Sequence, residues 1–462
     1  MLRVRSGFPT SAGPWQNARM QSYRHRHSGL ALLLGLAIAV SACGSAVHTA
    51  APTNGASTVP GASTSAPPAS ASPLGSSSGP SAAGSPDQAD QAVYAAIESQ
   101  VEALRGLHAT NVVKPVLLDS KGVSDWLTKA NAEQTNHAAL ANDSRLLIHL
   151  GLLPAGSSLE QMELDLQAGQ VIGFYDPVSK GLYVLSQSGG VGPLEKLTFS
   201  HEYTHALQDQ KFGLDNLATD TVDQGDRDLA RIALPEGDAT LVMTLWSANN
   251  LSLGDLLSIA GQSVSGPEAD QLASAPAILR ETMVFPYEDG LRFVQGIYNK
   301  GGWAAVDKLY ANPPGSTSQI LHPELYTGHV EPVALTVPQV PAALGSGWKL
   351  TMQDTMGELQ LRIWLEGNGG SASGSSAAAN AVSSWAGDRI ALYEGPSGQW
   401  AVVLHTAWRS TSGRDAFNQA AEQTLAALGS QYRICGDSTH VDIAIASSET
   451  LVPEFIACNT MG

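Results

Sequence analysis

The chain reads as an α+β protein, and three observations predict it. Helix-like and strand-like runs alternate through residues 88 to about 335. Within them, Val171-Ile-Gly-Phe-Tyr175 and Leu182-Tyr-Val-Leu-Ser186 are joined by Asp176-Pro-Val-Ser-Lys-Gly181, a hairpin signal. After a Pro-rich passage, Val330 to Pro341, a second α+β unit is expected over 345–462, with strands at Arg389–Tyr393 and Trp400–His405 and a helix around Asp415 to Leu428.

Taken in order, the chain starts with a leader. Arg3, Arg5, Arg19, Arg24 and Arg26 precede an apolar stretch, Gly29 to Val40, too short to span a bilayer. It ends in Val40-Ser41-Ala42-Cys43, which resembles a bacterial lipobox and implies lipidation at Cys43; the alternative is an ordinary signal peptide cut near Ala42. Met20 is an alternative start, because residues 1–19 exceed a normal basic leader. Residues 43–87 are almost entirely Ser, Ala, Gly, Pro and Thr and have nothing to bury, so a disordered tether is expected. The expected location is the outer face of the cell membrane, held by lipid.

Removing residues 1–42 takes away five arginines and no acid, moving the formal charge from −17 to −22. So acidic a surface argues against nucleic acid as a partner. With Cys43 assigned to lipid, Cys435 and Cys458 remain as an even pair, expected to form a disulfide in an oxidising compartment; two separate buried thiols are the alternative.

The chemistry concentrates in the first unit, 88–335. In His201-Glu202-Tyr203-Thr204-His205, positions i and i+4 of a helix share one face, so two imidazoles can meet one metal ion. Glu202, one position off, can serve as the base that takes a proton from water. The surrounding Thr198-Phe199-Ser200, Tyr203, Thr204, Ala206 and Leu207 are uncharged, as a helix buried beside a metal requires. Pro193 suits its first turn and Glu195 its N-terminal dipole. A third ligand is expected at Glu236, in a helical reading of Leu229 to Ala248 that Pro235 starts or kinks. The bland alternative for Glu236 is a salt bridge to an arginine such as Arg231.

His-Glu-x-x-His followed by Glu236-Gly237-Asp238-Ala239 resembles the gluzincin zinc metallopeptidases, which include thermolysin and the aminopeptidase-N group. The likeness covers residues 171 to 326. It implies a zincin-like domain with one Zn2+ held by His201, His205 and Glu236. In several gluzincins an Asp four residues after the ligand Glu orients a histidine; here Thr240 stands there, leaving Asp209 or Asp238 as substitutes. Phe285-Pro286-Tyr287-Glu288-Asp289-Gly290 resembles the run whose tyrosine stabilises the oxyanion, which implies that role for Tyr287, with His322 in reserve. The hairpin is expected to offer an edge to an extended peptide or protein substrate, or else only to build the sheet. The Gly-x-Met-Glu-Asn run that recognises a free amine is missing, so an endopeptidase is expected. A non-catalytic scaffold of the same fold is the competing reading, and Glu202 argues against it. Gly301-Gly302-Trp303 and Asn312-Pro313-Pro314-Gly315 punctuate two helices, and Ser316 with Gln319 forms a capping-box pattern for the next.

Overall fold

A computed structural model describes residues 86–456 and 458, apart from 135, 171, 186–189, 218–222, 264–266 and 368–375. The leader, Cys43 and the tether to residue 85 lie outside the described residues, as do Val171 and Ser186. The described residues build a mixed α+β protein with a three-stranded and a five-stranded sheet. None of their helices is long and apolar enough to cross a membrane.

Asp87 caps α1 (Gln88–Arg105) by accepting from the amides of Ala89 and Asp90. Next come β1 (Pro115–Leu118), α2 (Ser120–Gln134), α3 (His137–His149) and α4 (Leu159–Gln170). The expected hairpin forms as β2 (Gly173–Asp176) and β3 (Gly181–Leu185), antiparallel, with Gly173 opposite Val184 and Asp176 opposite Gly181. Asp176 fixes the turn by accepting from the amides of Val178 and Ser179. Its missed partner is β1, which pairs parallel to β3 and leaves β2 as an edge. Four residues without alternating polarity gave β1 no period to read.

Helix α5 (Pro193–Phe212) starts with Gly192 at the cap and Pro193 in the first turn, and stops at Gly213, whose φ of 70° suits glycine. It is buried on every side from Leu197 to Asp209, which is why it lacks an apolar stripe. β2 and α1 pack on it from one side and α6 (Gly225–Asn250) from another. Pro235 lies inside α6, which runs through it as one helix.

Beyond α7 (Leu253–Ser263) and α8 (Pro267–Ser274), α9 (Ala277–Ala311) lies along α6. The two touch backbone to backbone: a Cβ on Gly237 would meet the Gly290 carbonyl at 2.3 Å, and one on Gly290 the Ala233 oxygen at 2.3 Å. α9 bends at Gly302, where φ is 63°, as the punctuation predicts. Ser316 caps α10 (Thr317–Leu321), but the Gln319 side chain reaches the Gly315 amide rather than completing the box on Ser316. A short α11 (Pro323–Thr327) ends this region.

The Pro-rich passage holds neither helix nor strand from 328 to 341. After it come β4 (Lys349–Asp354), α12 (Gly357–Glu366), α13 (Ser376–Val382), β5 (Trp385–Glu394), β6 (Trp400–Trp408), α14 (Thr411–Leu428), β7 (Gln431–Gly436), β8 (His440–Ala446) and α15 (Val452–Phe455). The sheet order is β4-β5-β6-β8-β7, antiparallel throughout. Side chains alternate: Ile390, Leu392, Val402, Leu404, Ile443 and Ile445 face one core, Ala391, Tyr393, Ala401, Val403 and Ala444 another. The first face shares one continuous core with α3, α4, α6 and α9. The two expected units therefore differ in topology and share this core, while each also holds an apolar cluster of its own. Cys435 and Cys458 are joined by a disulfide, Cα to Cα 5.6 Å, tying β7 to the segment after α15.

Candidate metal centre

The turn spacing of α5 stacks His201 over His205, and the Gly237–Gly290 contact brings α6 and α9 close beside Glu236 and Tyr287. His201 Nε2 and His205 Nε2 lie 3.0 Å apart, and each faces Glu236 Oε2, at 3.2 and 3.3 Å. Ligand atoms of all three lie within 4.8 Å of one another. The imidazole rings stand nearly perpendicular, at 83°. His201 is fully buried, Glu236 and His205 nearly so.

Three lone-pair donors aimed at one another out of water repel unless a proton or a cation lies between them. Burial opposes charge on both partners, but attraction wins: the Glu236 carboxylate is held below its usual range by His205, and the His205 imidazole is raised by Glu236. Burial lowers His201. The alternative for Glu236, a salt bridge to Arg231, does not form; Arg231 donates to the Leu217 carbonyl, at 3.2 Å.

Glu202 is fully buried, and burial first, then Glu236, pushes its pKa up to about 8. One oxygen accepts from the Tyr175 amide at 2.8 Å, on the edge of β2 turned away from β3. The other has no partner. Tyr287 stands with its ring centroid 6.2 Å from that of His201. Its buried hydroxyl makes no hydrogen bond of ordinary geometry. Burial, then the Glu236 and Glu202 carboxylates, raises its pKa well above the usual value, so it stays a neutral donor.

The residues expected to orient a histidine sit elsewhere. Asp209 accepts from the Tyr175 hydroxyl and Lys180 at 2.7 Å each and from the Leu214 amide at 3.1 Å. Asp238 takes Arg105 through both oxygens, at 2.9 and 3.0 Å, and the Tyr310 hydroxyl at 2.7 Å. Thr240 is buried on α6 with its hydroxyl unpartnered. His322, the reserve donor, is committed to Glu358 at 2.7 Å. The residue that does touch a histidine is Gln208, whose Oε1 lies 2.9 Å from His205 Nδ1. A search for carboxylates passes over it, although i+3 from His205 is the same helix face.

Cavity size alone points away from this cluster. A cavity of about 130 Å3 between α3, α9 and β4, and one of about 560 Å3 beneath residues 331–339, have linings without any of these residues. Donor chemistry places the site instead: among the described residues, His201, His205 and Glu236 are the group whose ligand atoms converge closely enough to hold one ion.

Comparison with known proteins bears on the other end of the chain. A domain of unknown function, DUF8575, matches residues 349–450. The DUF8575-like stretch runs from β4 past β8 and contains none of the cluster residues. No curated protein and no solved structure matches the chain.

Proposed function

We propose that this chain is a zinc-dependent metallopeptidase of gluzincin type, most simply an endopeptidase, with a zincin-like catalytic region. One observation carries the reading: His201 Nε2, His205 Nε2 and Glu236 Oε2 converge from two helices in a buried site that also holds an unpaired Glu202 oxygen and an unpaired Tyr287 hydroxyl. Two imidazoles and a carboxylate fit a catalytic rather than a closed structural zinc site, and the orphaned polar atoms fit a site that takes further ligands. Bound there, Zn2+ would supply Lewis-acid polarisation of a carbonyl and of water. Glu202 takes the proton of the attacking water and delivers it to the leaving amine, while the Tyr175 amide holds its other oxygen still. Tyr287 donates its hydroxyl to the developing oxyanion. An extended peptide or protein is the substrate this reading implies.

The leader motif supports export and anchoring to the outer face of the membrane through lipid on Cys43, and the acidic surface supports a partner other than nucleic acid. The test compares the full chain with Glu202→Gln, measuring zinc content and hydrolysis of an unfolded protein. Equal stoichiometric zinc with cleavage reduced about 10²–10⁴-fold in the variant is expected. No zinc in the parent would end the metal assignment; zinc without cleavage in the parent would favour a non-catalytic scaffold.

A further inference from the structure

We propose that Gln208 is a positioning residue that sets the tautomer of His205 and so prepares its Nε2 for the metal; the inference rests on the zinc reading above. The Gln208 side chain spans the two helices that carry the cluster. Its Nε2 donates to the Pro235 carbonyl at 3.1 Å, and its Oε1 lies 2.9 Å from His205 Nδ1.

The carbonyl decides the orientation of the amide. A backbone oxygen only accepts, so the Gln208 nitrogen must face Pro235 and its oxygen must face His205. An amide oxygen only accepts as well, so His205 Nδ1 carries hydrogen. A neutral imidazole with hydrogen on Nδ1 leaves its lone pair on Nε2, the atom that faces His201 and Glu236.

Gln208 is fully buried, so water does not compete for either contact. The fixed point it uses is the residue immediately before Glu236. One neutral side chain thus orients a ligand on α5 while bracing the ligand-bearing turn of α6. His201 lacks the equivalent: its Nδ1 is buried without a partner. The neutral amide also adds no further negative charge beside Glu236 and Glu202.

Zn2+ affinity of the full chain, measured by competition with a chromophoric chelator, tests this without any turnover assay. Gln208→Leu removes both contacts and should weaken zinc about 10–100-fold. Gln208→Glu keeps an acceptor for Nδ1–H but loses the donor to Pro235 and adds a buried negative charge, so its loss should fall between the parent and the Leu variant. Melting of the metal-free proteins shows whether each variant folds. Equal affinity in all three, or a Glu variant as weak as the Leu variant, would overturn the proposal while leaving the zinc reading intact. A parent that binds no zinc overturns both.

Discussion

Glu236 and Asp238 are two buried carboxylates two residues apart on α6, and their surroundings could hardly differ more. Asp238 is closed: the Arg105 guanidinium grips both its oxygens, Tyr310 donates to it, and Arg105 is itself held by Asp307 at 2.7 Å and stacked 4.5 Å over Trp303. A permanent cation neutralises it at every ordinary pH. Glu236 faces two imidazoles, which offer positive charge when protonated and lone pairs when not, and the neutral Tyr287 hydroxyl. The contrast separates a carboxylate used to fasten helices α1, α6 and α9 from one kept available for an exchangeable cation.

The largest effect should come from opening the closed side. Asp238→Ala leaves Arg105 buried against Tyr310 with Asp307 as its remaining carboxylate, and removing one partner of a buried pair costs about 3–5 kcal/mol. Denaturant unfolding of the metal-free protein measures it. A loss below about 1 kcal/mol would show that Arg105 and Asp238 do not fasten α6, and the comparison would break on that side.

On the available side the effect depends on the ion. Zinc at a thousandfold excess over its dissociation constant should stabilise the fold by about 4 kcal/mol, and a chelator should withdraw it. Glu236→Ala should make the melting temperature insensitive to chelator, whereas Tyr310→Phe, which trims the closed network only, should leave that sensitivity in place. Equal chelator response in the parent and Glu236→Ala would remove Glu236 from the ligand set.

A smaller effect tests what sets the spacing between the two helices. Gly290→Ala drives a methyl into the Ala233 carbonyl and should cost about 1–3 kcal/mol, as overpacking does. Gly296→Ala, six residues along the same helix with open space around it, should instead stabilise by about 0.5–1 kcal/mol. Opposite signs in thermal melts would confirm that backbone approach, not helix propensity, fixes Glu236 and Tyr287 relative to each other.

Much of this site was legible because its signals are local. The i, i+4 histidines, the uncharged run around them and the acid in an apolar helix each state a requirement within one element, and α5 and α6 satisfy them. Gly237 and Gly290 stand inside the very motifs that carry Glu236 and Tyr287, yet their packing against each other's helix is a fact about two helices and has no local trace. The same holds for Arg105: from α1, nothing in sequence announces that it meets Asp238, 133 residues away. Gln208 carries no charge to mark it, because a neutral amide serves through orientation alone. In the second region, β5, β6 and α14 lie near the positions the sequence predicts for them, while β7 and β8 are not predicted. Their pairing depends on strand order, which no single segment states.

Tyr287→Phe should move stability least and separate function from architecture most cleanly. A buried hydroxyl whose one interaction, with Glu236, falls short of ordinary hydrogen-bond geometry recovers little of its desolvation, so its removal should leave unfolding within about 0.5 kcal/mol of the parent. The buried ring, 6.2 Å from that of His201, remains. Zinc content should be unchanged, since the phenol is not among the three converging ligands. Hydrolysis, by contrast, should fall about 10²–10³-fold, the usual cost of losing one oxyanion donor. Loss of stability with unchanged turnover would reassign Tyr287 to the core. Loss of turnover with stability retained would mean that the hydroxyl is held without a full hydrogen bond in the resting protein because its proper partner exists only as the reaction proceeds.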